Sequence, residues 1–498
     1  MSRDAGLVRV LAFGAVVLAL LGAFVTWSVS SPVASSADED FHLASIWCGD
    51  GLRDGYCEEG SSDVHRTVPR QLLTANQCFD NQPEQSAACP GYPSSVMMDT
   101  DRGNFAGVYP QGFYAVMGLL VSADISASVI AMRVLNSLLY VVMMSALFLL
   151  IPARRRGLLV WGSLATMAPF GMFLIPSVNP SSWGVISAST LWIALLGYYE
   201  ARTTTRRIGL AVLACAAVLM AVGSRADAAA YAVVAIGLVS LLKGDLSRPF
   251  LRMAMLPAVL AVVAVIGFLS AGQANSINPG FEITAPTEDN QTWISLLWDN
   301  LLRLPELWAG AFGAPVAGRA LWLGTVAPGI VWVPVVLVVG GLVFFGLRRL
   351  DWRKSISLAA IALLLTALPM IWLMRDQILV GQGVQARYLY PLIIVFVTMS
   401  LVGYDGVRAG LTRLQMTLIA IVALAADAAI QWVTLRRFVT GLDAHGINLN
   451  AGAEWWWDVP IGPMHVWLIG AFCFAGFCVG CVLYGVLSRS QEPEPARP

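Results

Sequence analysis

About twelve long apolar stretches dominate this sequence, and they limit most strongly what it can fold into. Crossing about 30 Å of hydrocarbon takes roughly 20 mainly apolar residues in a helix, and a helix satisfies its own backbone hydrogen bonds where water is absent. The sequence therefore predicts an all-α polytopic membrane protein with about 12 transmembrane helices. The stretches cover residues 7–29, 126–151, 157–176, 180–199, 207–223, 226–242, 250–271, 326–347, 355–374, 387–403, 412–432 and 464–487.

The composition agrees with a membrane location. Hydrophobic residues make up 57% and charged residues 12% of the chain, whereas a soluble domain carries about 25% charged residues. The mean hydropathy is +0.70. Because the net charge is zero and no basic tract is present, the sequence does not favour a nucleic-acid partner. The partner that it predicts is the lipid bilayer.

The basic residues give the orientation, because Lys and Arg collect in short cytoplasmic loops. With the N-terminus inside, every basic loop lies on the cytoplasmic side, so we predict a multi-pass protein with both termini in the cytoplasm. The first stretch is alternatively a cleaved secretory signal, and in either case residues 30–125 are outside. The basic loops are 154–156, 202–207, 243–252, 348–354 and 408–413.

The predicted spans divide the chain into four parts. Residues 1–29 form the first transmembrane helix, 30–125 an extracytoplasmic loop with an interfacial helix at 108–120, 126–487 a bundle of about 11 helices, and 488–498 a cytoplasmic tail. Outer caps at 272–325 and 433–463 interrupt the bundle. Both caps contain tryptophans, which fit either an interfacial belt or stacking against a sugar ring or lipid headgroup; they are Trp293, Trp298, Trp308 and Trp455-Trp456-Trp457.

Four cysteines, Cys48, Cys57, Cys78 and Cys89, lie in the first outer loop. In an oxidising compartment they predict two disulfides, for which three pairings are open. A zinc site is the alternative, but the spacings contain no CxxC pair. We therefore expect a large, disulfide-containing first loop.

The tripeptide Asp38-Glu39-Asp40 directly follows the first span, and His42 lies close behind it. A carboxylate beside a lipid surface is suited to removing a proton from a hydroxyl group, and Asp38 and His42 would share one helical face. Two alternatives remain open. The acidic residues would stabilise a helix N-terminus, or Asp38, Glu39 and His42 would bind a divalent cation.

Two short outer turns place polar residues at the ends of spans. In the NPSSW turn (179–183), Asn179 and Pro180 suit a helix start, although the same helix N-terminus would also receive an anion. In the SRAD turn (224–227), Arg225 and Asp227 would either neutralise each other or mark a substrate pathway. Three polar residues within or near spans raise the same alternatives: Arg133, Asn136 and Asp427.

The string GVQARYLYP (383–391) is the most distinctive motif. It runs from an outer loop into the tenth span, with Arg375 upstream. The planar guanidinium of Arg387 suits bidentate contact with a phosphate, and the neighbouring glycines permit close backbone approach. Alternatively, Arg387 extends to the lipid headgroups.

Together these motifs resemble a known family. The acidic motif with its nearby histidine, the YPQGFY segment (109–114), the NPSS and SRAD turns and the GVQARYLYP string are similar to those of a bacterial family of polytopic membrane proteins of unknown function, DUF2142, which is grouped with the GT-C glycosyltransferases. The resemblance extends from the first to the tenth span. Its most specific part is the GVQxRYLxP element.

The resemblance implies a GT-C-like fold, in which the first loop and the outer turns surround a cavity open to the bilayer of the plasma (inner) membrane. GT-C enzymes transfer a sugar from a polyprenyl-phosphate donor. Their acidic first-loop residue would be Asp38 or Glu39, with Asp40 and His42 beside the acceptor or a metal. The donor phosphate would be held by Arg387, Arg225 or Arg375. The remaining cavity-lining candidates are Asn179, Asp227, Gln385 and Tyr388.

The resulting hypothesis is an inverting membrane glycosyltransferase that moves a sugar from polyprenyl phosphate to an envelope glycan or glycolipid. The alternatives are a transporter or flippase for lipid-linked saccharides and a noncatalytic envelope assembly protein. Transport favours polarity at the membrane midplane and paired repeats, whereas most candidate residues here lie outside. The sequence leaves the sugar, the acceptor and any metal requirement open.

Overall fold

The structure is a computed structural model that describes residues 2–89, 95–245, 247–275, 292–317, 325–457 and 460–487. The predicted tail, 488–498, and parts of both caps lie outside the described residues. The strands are β1 (Glu58–Glu59), β2 (Arg66–Pro69) and β3 (Met97–Thr100). The helices are α1 (Ser2–Val29), α2 (Glu39–Trp47), α3 (Gln71–Thr74), α4 (Gly112–Gly118), α5 (Ile125–Leu150), α6 (Arg156–Thr166), α7 (Met172–Leu174), α8 (Ser181–Glu200), α9 (Thr204–Ser224), α10 (Ala226–Lys243), α11 (Arg248–Ser270), α12 (Gly272–Asn275), α13 (Trp293–Gly310), α14 (Gly329–Gly346), α15 (Trp352–Asp376), α16 (Ala386–Ser400), α17 (Arg413–Val439) and α18 (Pro463–Leu487).

Within the described ranges, 10 helices are long and apolar enough to cross a membrane. The other two predicted spans are also helical: α8 has 20 residues and α16 has 15. Multiple membrane-length helices are therefore confirmed, while the number of about 12 crossings stays a prediction. The ten helices are Gly6–Val29, Ile125–Leu150, Ala153–Leu174, Thr204–Ser224, Ala226–Lys243, Arg248–Ser270, Gly329–Gly346, Trp352–Asp376, Arg413–Val439 and Pro463–Leu487.

Helices α8 and α16 form the centre of the bundle. Helix α8 is buried from Ser181 to Gly197, and nearly every residue of α16 is buried. They pack against each other, and α8 also contacts α5, α9 and α10. A helix that is apolar all round must be covered on every side. The N-terminal ends of both helices, which carry the NPSSW turn and Arg387, lie together, since Asn179 and Arg387 both donate to the Ala37 carbonyl oxygen.

The predicted span at 157–176 is broken. Helix α6 ends at Thr166, and a π-helical turn over Met167–Gly171, which contains Pro169, separates it from α7. Pro and π-turns are common causes of such kinks, and the freed carbonyls need other donors inside a membrane. The Tyr390 hydroxyl donates to the Thr166 carbonyl oxygen at 2.5 Å. The second tyrosine of the GVQARYLYP string thus stabilises the break.

In the predicted first loop, the described residues 30–89 and 95–125 fold into a unit that we call the outer domain. It contains α2, α3, α4 and an antiparallel sheet of order β1-β2-β3, which the all-α prediction did not include. Two disulfides join Cys48 to Cys57 and Cys78 to Cys89, so the structure selects the pairing of sequence neighbours. The interfacial helix expected at 108–120 is shorter, and the side chains of Phe113, Tyr114 and Met117 in α4 are buried.

The cap at 433–463, which we call the last cap, docks onto this outer domain. The Arg437 guanidinium donates to the backbone oxygens of Gln85, at 2.7 Å, and Phe79, at 2.5 Å. The Ala87 amide donates to the Phe438 carbonyl at 2.7 Å. In the cap at 272–325, Asn300 of α13 bonds the backbone of the loop before α16. Both caps therefore hold segments that lead to the candidate site.

We predict that non-reducing peptide mapping of the purified protein will recover Cys48–Cys57 and Cys78–Cys89 peptides. Each pairing closes a short loop, so loss of one disulfide should cost about 2–3 kcal/mol and lower the thermal midpoint of the outer domain. The double substitution Cys78→Ser with Cys89→Ser tests this. A peptide that links Cys57 to Cys78 would contradict the structure.

Candidate functional site

Asp38 occupies an unusual backbone position at the start of α2. Its φ and ψ are 57° and 19°, in the left-handed region, and its side chain makes no capping hydrogen bond to the helix. Such a conformation costs an ordinary residue about 1–2 kcal/mol, although Asp adopts it more readily. Helix capping therefore does not explain this carboxylate. Its side chain is directed towards α16 instead.

Arg387, at the start of α16, is the partner of Asp38. The two side chains form an ion pair through Arg387 Nη2 and Asp38 Oδ2. Arg387 Nη1 also donates to the Ala37 carbonyl oxygen at 3.1 Å, and Asn179 Nδ2 donates to the same oxygen at 2.9 Å. The Ala37–Asp38 segment thus joins the N-terminal ends of the two central helices, α8 and α16.

Arg225, between α9 and α10, lies beside the same helix end. Its guanidinium forms a bidentate ion pair with Asp227, with N–O distances of 2.8 and 2.9 Å. The guanidinium carbon is 4.7 Å from the centre of the Tyr388 ring and 5.7 Å from that of Tyr109. The Arg387 guanidinium is 5.2 Å from the same Tyr388 ring. Tyr388 therefore contacts two cations, each favoured by its negative ring face.

The YPQGFY segment packs onto three of the other motifs. His42 Nδ1 is 3.0 Å from the Tyr114 hydroxyl, and Phe113 makes an edge contact with Trp183 at 5.3 Å. A Cβ added at Gly112 would lie 2.7 Å from the Gly223 Cα, so this backbone approach requires glycine. The segment that sequence reasoning assigned to the membrane interface is therefore part of the site.

All five motifs of the sequence meet at one end of the helix bundle. We call this group the outer polar cluster. The Asp38 side chain is 29% exposed and the Asp227 side chain 24% exposed. The other members of the cluster are almost fully buried. Asp38 is thus the ionisable group of the cluster that is most open to an incoming molecule. The cluster consists of Asp38, His42, Tyr109, Tyr114, Asn179, Arg225, Asp227, Arg387 and Tyr388.

The cluster sets the charge states of Asp38 and His42. Burial alone would raise the pKa of Asp38, but the charge and hydrogen bond of Arg387, with a smaller effect from the Arg102 charge, lower it below its ordinary value. Burial lowers the pKa of His42 to about 3, and the nearby arginines add to this effect while Asp38 opposes it. At neutral pH, Asp38 is ionised and His42 is neutral. His42 therefore acts as a hydrogen-bonding group, not as a cation.

Glu39 and Asp40 lie beside Asp38 in sequence but have other partners. Glu39 is fully buried, and both of its oxygens accept hydrogen bonds from Arg133, at 2.9 and 3.1 Å. Asp40 forms an ion pair with Arg102. The Asp38 carboxylate is paired with Arg387 and the Glu39 carboxylate with Arg133. Asp38, Glu39 and His42 therefore do not fit a metal site. In the part of the chain that the structure describes, no group of three His, Cys, Asp or Glu side chains could hold a metal ion.

The remaining candidates lie at the edge of the cluster or away from it. Gln385 is half-buried directly before α16 and makes no side-chain cap. Arg375 is exposed at the end of α15, and no hydrogen bond or ion pair joins it to the cluster among the described residues. Sequence reasoning did not assign Arg102 a role. The one feature of the sequence that could have pointed to Arg102 is that it is a basic residue in a loop with many acidic residues.

We predict that Glu39→Gln destabilises the protein strongly. Removing one partner of a buried ion pair typically costs 3–5 kcal/mol, because the other charge stays buried and unpaired. The thermal midpoint of the detergent-purified protein, followed by circular dichroism, measures this. Asp50→Asn is the matched control, since the Asp50–Arg53 pair is 3.8 Å apart and partly exposed, and such pairs contribute up to about 1 kcal/mol. Equal shifts would contradict the structural role of Glu39.

We also predict a pH effect from His42. Because the pKa is about 3 in the folded protein and about 6.5 when unfolded, the unfolded chain binds more protons between these values. Stability should therefore rise with pH across this window, by up to about 1.4 kcal/mol per unit. The difference in thermal midpoint between wild type and His42→Gln, measured from pH 4.5 to 6.5, isolates this effect from Asp38. A constant difference would contradict it.

Comparison with known proteins gives the family. Residues 21–396 match a family model described as predicted membrane protein (DUF2142). The match begins in α1 and ends in α16, so it includes every segment of the outer polar cluster. No curated protein and no solved structure matches the chain. The chain therefore belongs to the predicted membrane protein family DUF2142.

Proposed function

We propose that this protein is a membrane glycosyltransferase of GT-C type. It transfers a sugar from a polyprenyl-phosphate donor to an envelope glycan or glycolipid on the outer face of the bacterial inner membrane. One observation carries the proposal: the Asp38 carboxylate is the most exposed ionisable group of a site that also contains two buried guanidinium groups, those of Arg387 and Arg225. A base and an anion site are the two parts that this reaction needs.

In the proposed reaction, Asp38 accepts the proton of an acceptor hydroxyl while that oxygen forms a bond to the anomeric carbon of the donor. The bond between the anomeric carbon and the phosphate oxygen breaks, and its electron pair stays on the phosphate. Arg387 and Arg225 stabilise the resulting negative charge. A single displacement inverts the anomeric configuration. Glu39 has no such role, because Arg133 occupies both of its oxygens.

Arg387 has two tasks in this mechanism. In the structure its Nη2 is paired with Asp38, while its buried Nε has no hydrogen-bond partner among the described residues. A donor phosphate on Arg387 would compete with Asp38 for the guanidinium. Asp38 would then lose part of the interaction that lowers its pKa and become a stronger base. Donor binding would in this way prepare the base for the acceptor.

The proposal also includes the orientation. The outer domain and the N-terminal ends of α8 and α16 face away from the cytoplasm, and both termini of the chain lie inside. Basic residues at the opposite end of the bundle support this, because the positive-inside rule places them in the cytoplasm. Among them, Lys354 donates to three backbone oxygens and Arg155 pairs with Glu200.

One observation favours the alternative of a transporter for lipid-linked saccharides. Asp427 lies within α17 and is fully buried, with Oδ1 accepting from Trp27 Nε1 at 2.9 Å. Its Oδ2 has no hydrogen-bond partner among the described residues. Carboxyl groups at such positions often mark transport pathways. By contrast, a transporter would not require that Asp38 of the outer polar cluster be exposed.

The test is sugar transfer by protein in lipid nanodiscs, supplied with radiolabelled polyprenyl-phosphate sugars and an envelope extract. We expect Asp38→Asn to lower kcat by about 10²–10⁴-fold with unchanged folding. Arg387→Lys retains the charge but loses the bidentate geometry, so it should raise the donor KM by roughly tenfold or more.

The matched controls are Asp50→Asn and Arg53→Ala, which alter the same residue types in the outer domain but outside the cluster. Both should retain wild-type transfer. Absence of transfer with every donor, from well-folded wild-type protein, would overturn the enzyme proposal. The transporter alternative would then be tested with a fluorescent polyprenyl-phosphate sugar in proteoliposomes. Movement of this lipid across the proteoliposome membrane, if Asp427→Asn abolishes it, would establish that alternative.

A further inference from the structure

A cavity of about 290 Å³ lies between the outer domain and the last cap. Its walls include Pro32 from the segment after α1, Gln71 and Thr74 from α3, and Trp456 and Trp457 from the last cap. None of the described lining residues belongs to the outer polar cluster. The volume is just below the range of small-ligand sites, which span about 300–1,000 Å³.

The lining combines three uncharged polar side chains and two indole rings with small apolar residues such as Val33 and Ala87. No charged side chain lines the cavity among the described residues. Gln71 contributes an amide, and Thr74 and Ser126 contribute hydroxyls. The buried indole Nε1 of Trp456 has no hydrogen-bond partner among the described residues. Indole faces beside neutral hydrogen-bonding groups suit a sugar ring, whereas a phosphate would need a cation.

The cavity walls are held in place by the fold. Cys89 lines the cavity and is bonded to Cys78. Trp456 packs against Phe438, with ring centres 6.2 Å apart, and Trp457 Nε1 donates to the Val29 carbonyl at 2.9 Å. A site whose walls are fixed in this way binds a ligand with less loss of conformational entropy.

One chain segment, held by Arg133, joins the cavity wall to the proposed base. Arg133 Nη2 donates to the Pro32 carbonyl at 2.7 Å and to Glu39 at 2.9 Å. The segment from Pro32 to Asp38 therefore forms one unit with the cavity wall, and its ends cannot be more than roughly 20 Å apart. A short oligosaccharide in the cavity could present its end to Asp38.

We propose that this cavity binds the saccharide part of the acceptor. The inference rests on the proposed glycosyltransferase function, for which it supplies the binding site of the acceptor, an oligosaccharide or the glycan of a glycolipid. It assigns Trp456 as the aromatic contact and Gln71 as a hydrogen-bonding contact. Donor recognition remains with the outer polar cluster.

The test is binding of the nanodisc-embedded protein to an array of oligosaccharides built from hexoses, pentoses and N-acetylhexosamines. Calorimetry with the best-bound oligosaccharide then compares variants. We expect Trp456→Ala and Gln71→Ala each to weaken binding by about tenfold, and Trp456→Phe, which removes only the N–H donor and part of the ring, to weaken it less. The matched control is Trp352→Ala, since Trp352 is 62% exposed at the start of α15, away from the cavity.

Measuring the thermal midpoint of each variant will distinguish a loss of binding from a loss of folding. Gln71→Ala is the variant that we expect to alter the packing least. Binding to no oligosaccharide, or equal affinity in all variants, would overturn the inference. In the transfer assay, Trp456→Ala should raise the acceptor KM and leave the donor KM unchanged. Oligosaccharide binding without transfer from any donor would overturn the proposed function while leaving the saccharide site established.

Discussion

A single buried guanidinium, that of Arg133, organises the outer side of this protein. It binds the carbonyl oxygens of Ser28, Ser31 and Pro32 at the end of α1 and the carboxylate of Glu39 at the start of α2. A helix C-terminus leaves carbonyl groups without partners, and in a membrane protein each must find a donor. By satisfying them and pairing with Glu39, Arg133 fixes the turn between α1 and α2. The position of Asp38, within that turn, depends on this contact together with those that Arg387 and Asn179 make to Ala37 and Asp38.

The outer polar cluster depends on the same arrangement of helix ends. Helices α8, α10 and α16 begin at the cluster, and the N-terminal end of each carries a partial positive charge. With Arg225 and Arg387, these ends make a site that favours anions. Asp38 stays ionised there, and His42 stays neutral because its burial lowers its pKa. A site of this kind can receive a phosphate and retain a carboxylate beside it, which is the combination that the proposed reaction requires.

The covalent and noncovalent links of the outer domain serve a related purpose. The Cys78–Cys89 disulfide closes the part of the first loop whose Phe79 and Gln85 carbonyls bind Arg437 of the last cap, and the cavity lies between that loop and the cap. The family match supports the membrane architecture but assigns no activity. Function is therefore argued from the site, as a fold alone does not determine it. The separation of the cluster from the cavity would divide donor and acceptor recognition between two surfaces.

The sequence by itself determined the membrane architecture, because a span needs only local apolar length, and it located the segments that form the site. It also indicated two disulfides, since four cysteines lie in one outer loop, but not their pairing, which depends on distance in space. Only the tertiary structure decided the roles of neighbouring acids: Glu39 is held by Arg133, Asp40 by Arg102 and Asp38 by Arg387. Each partner lies far away in the chain. Sequence spacing does not show which long-range charges meet, whereas the packing of α5, the outer domain and α16 does.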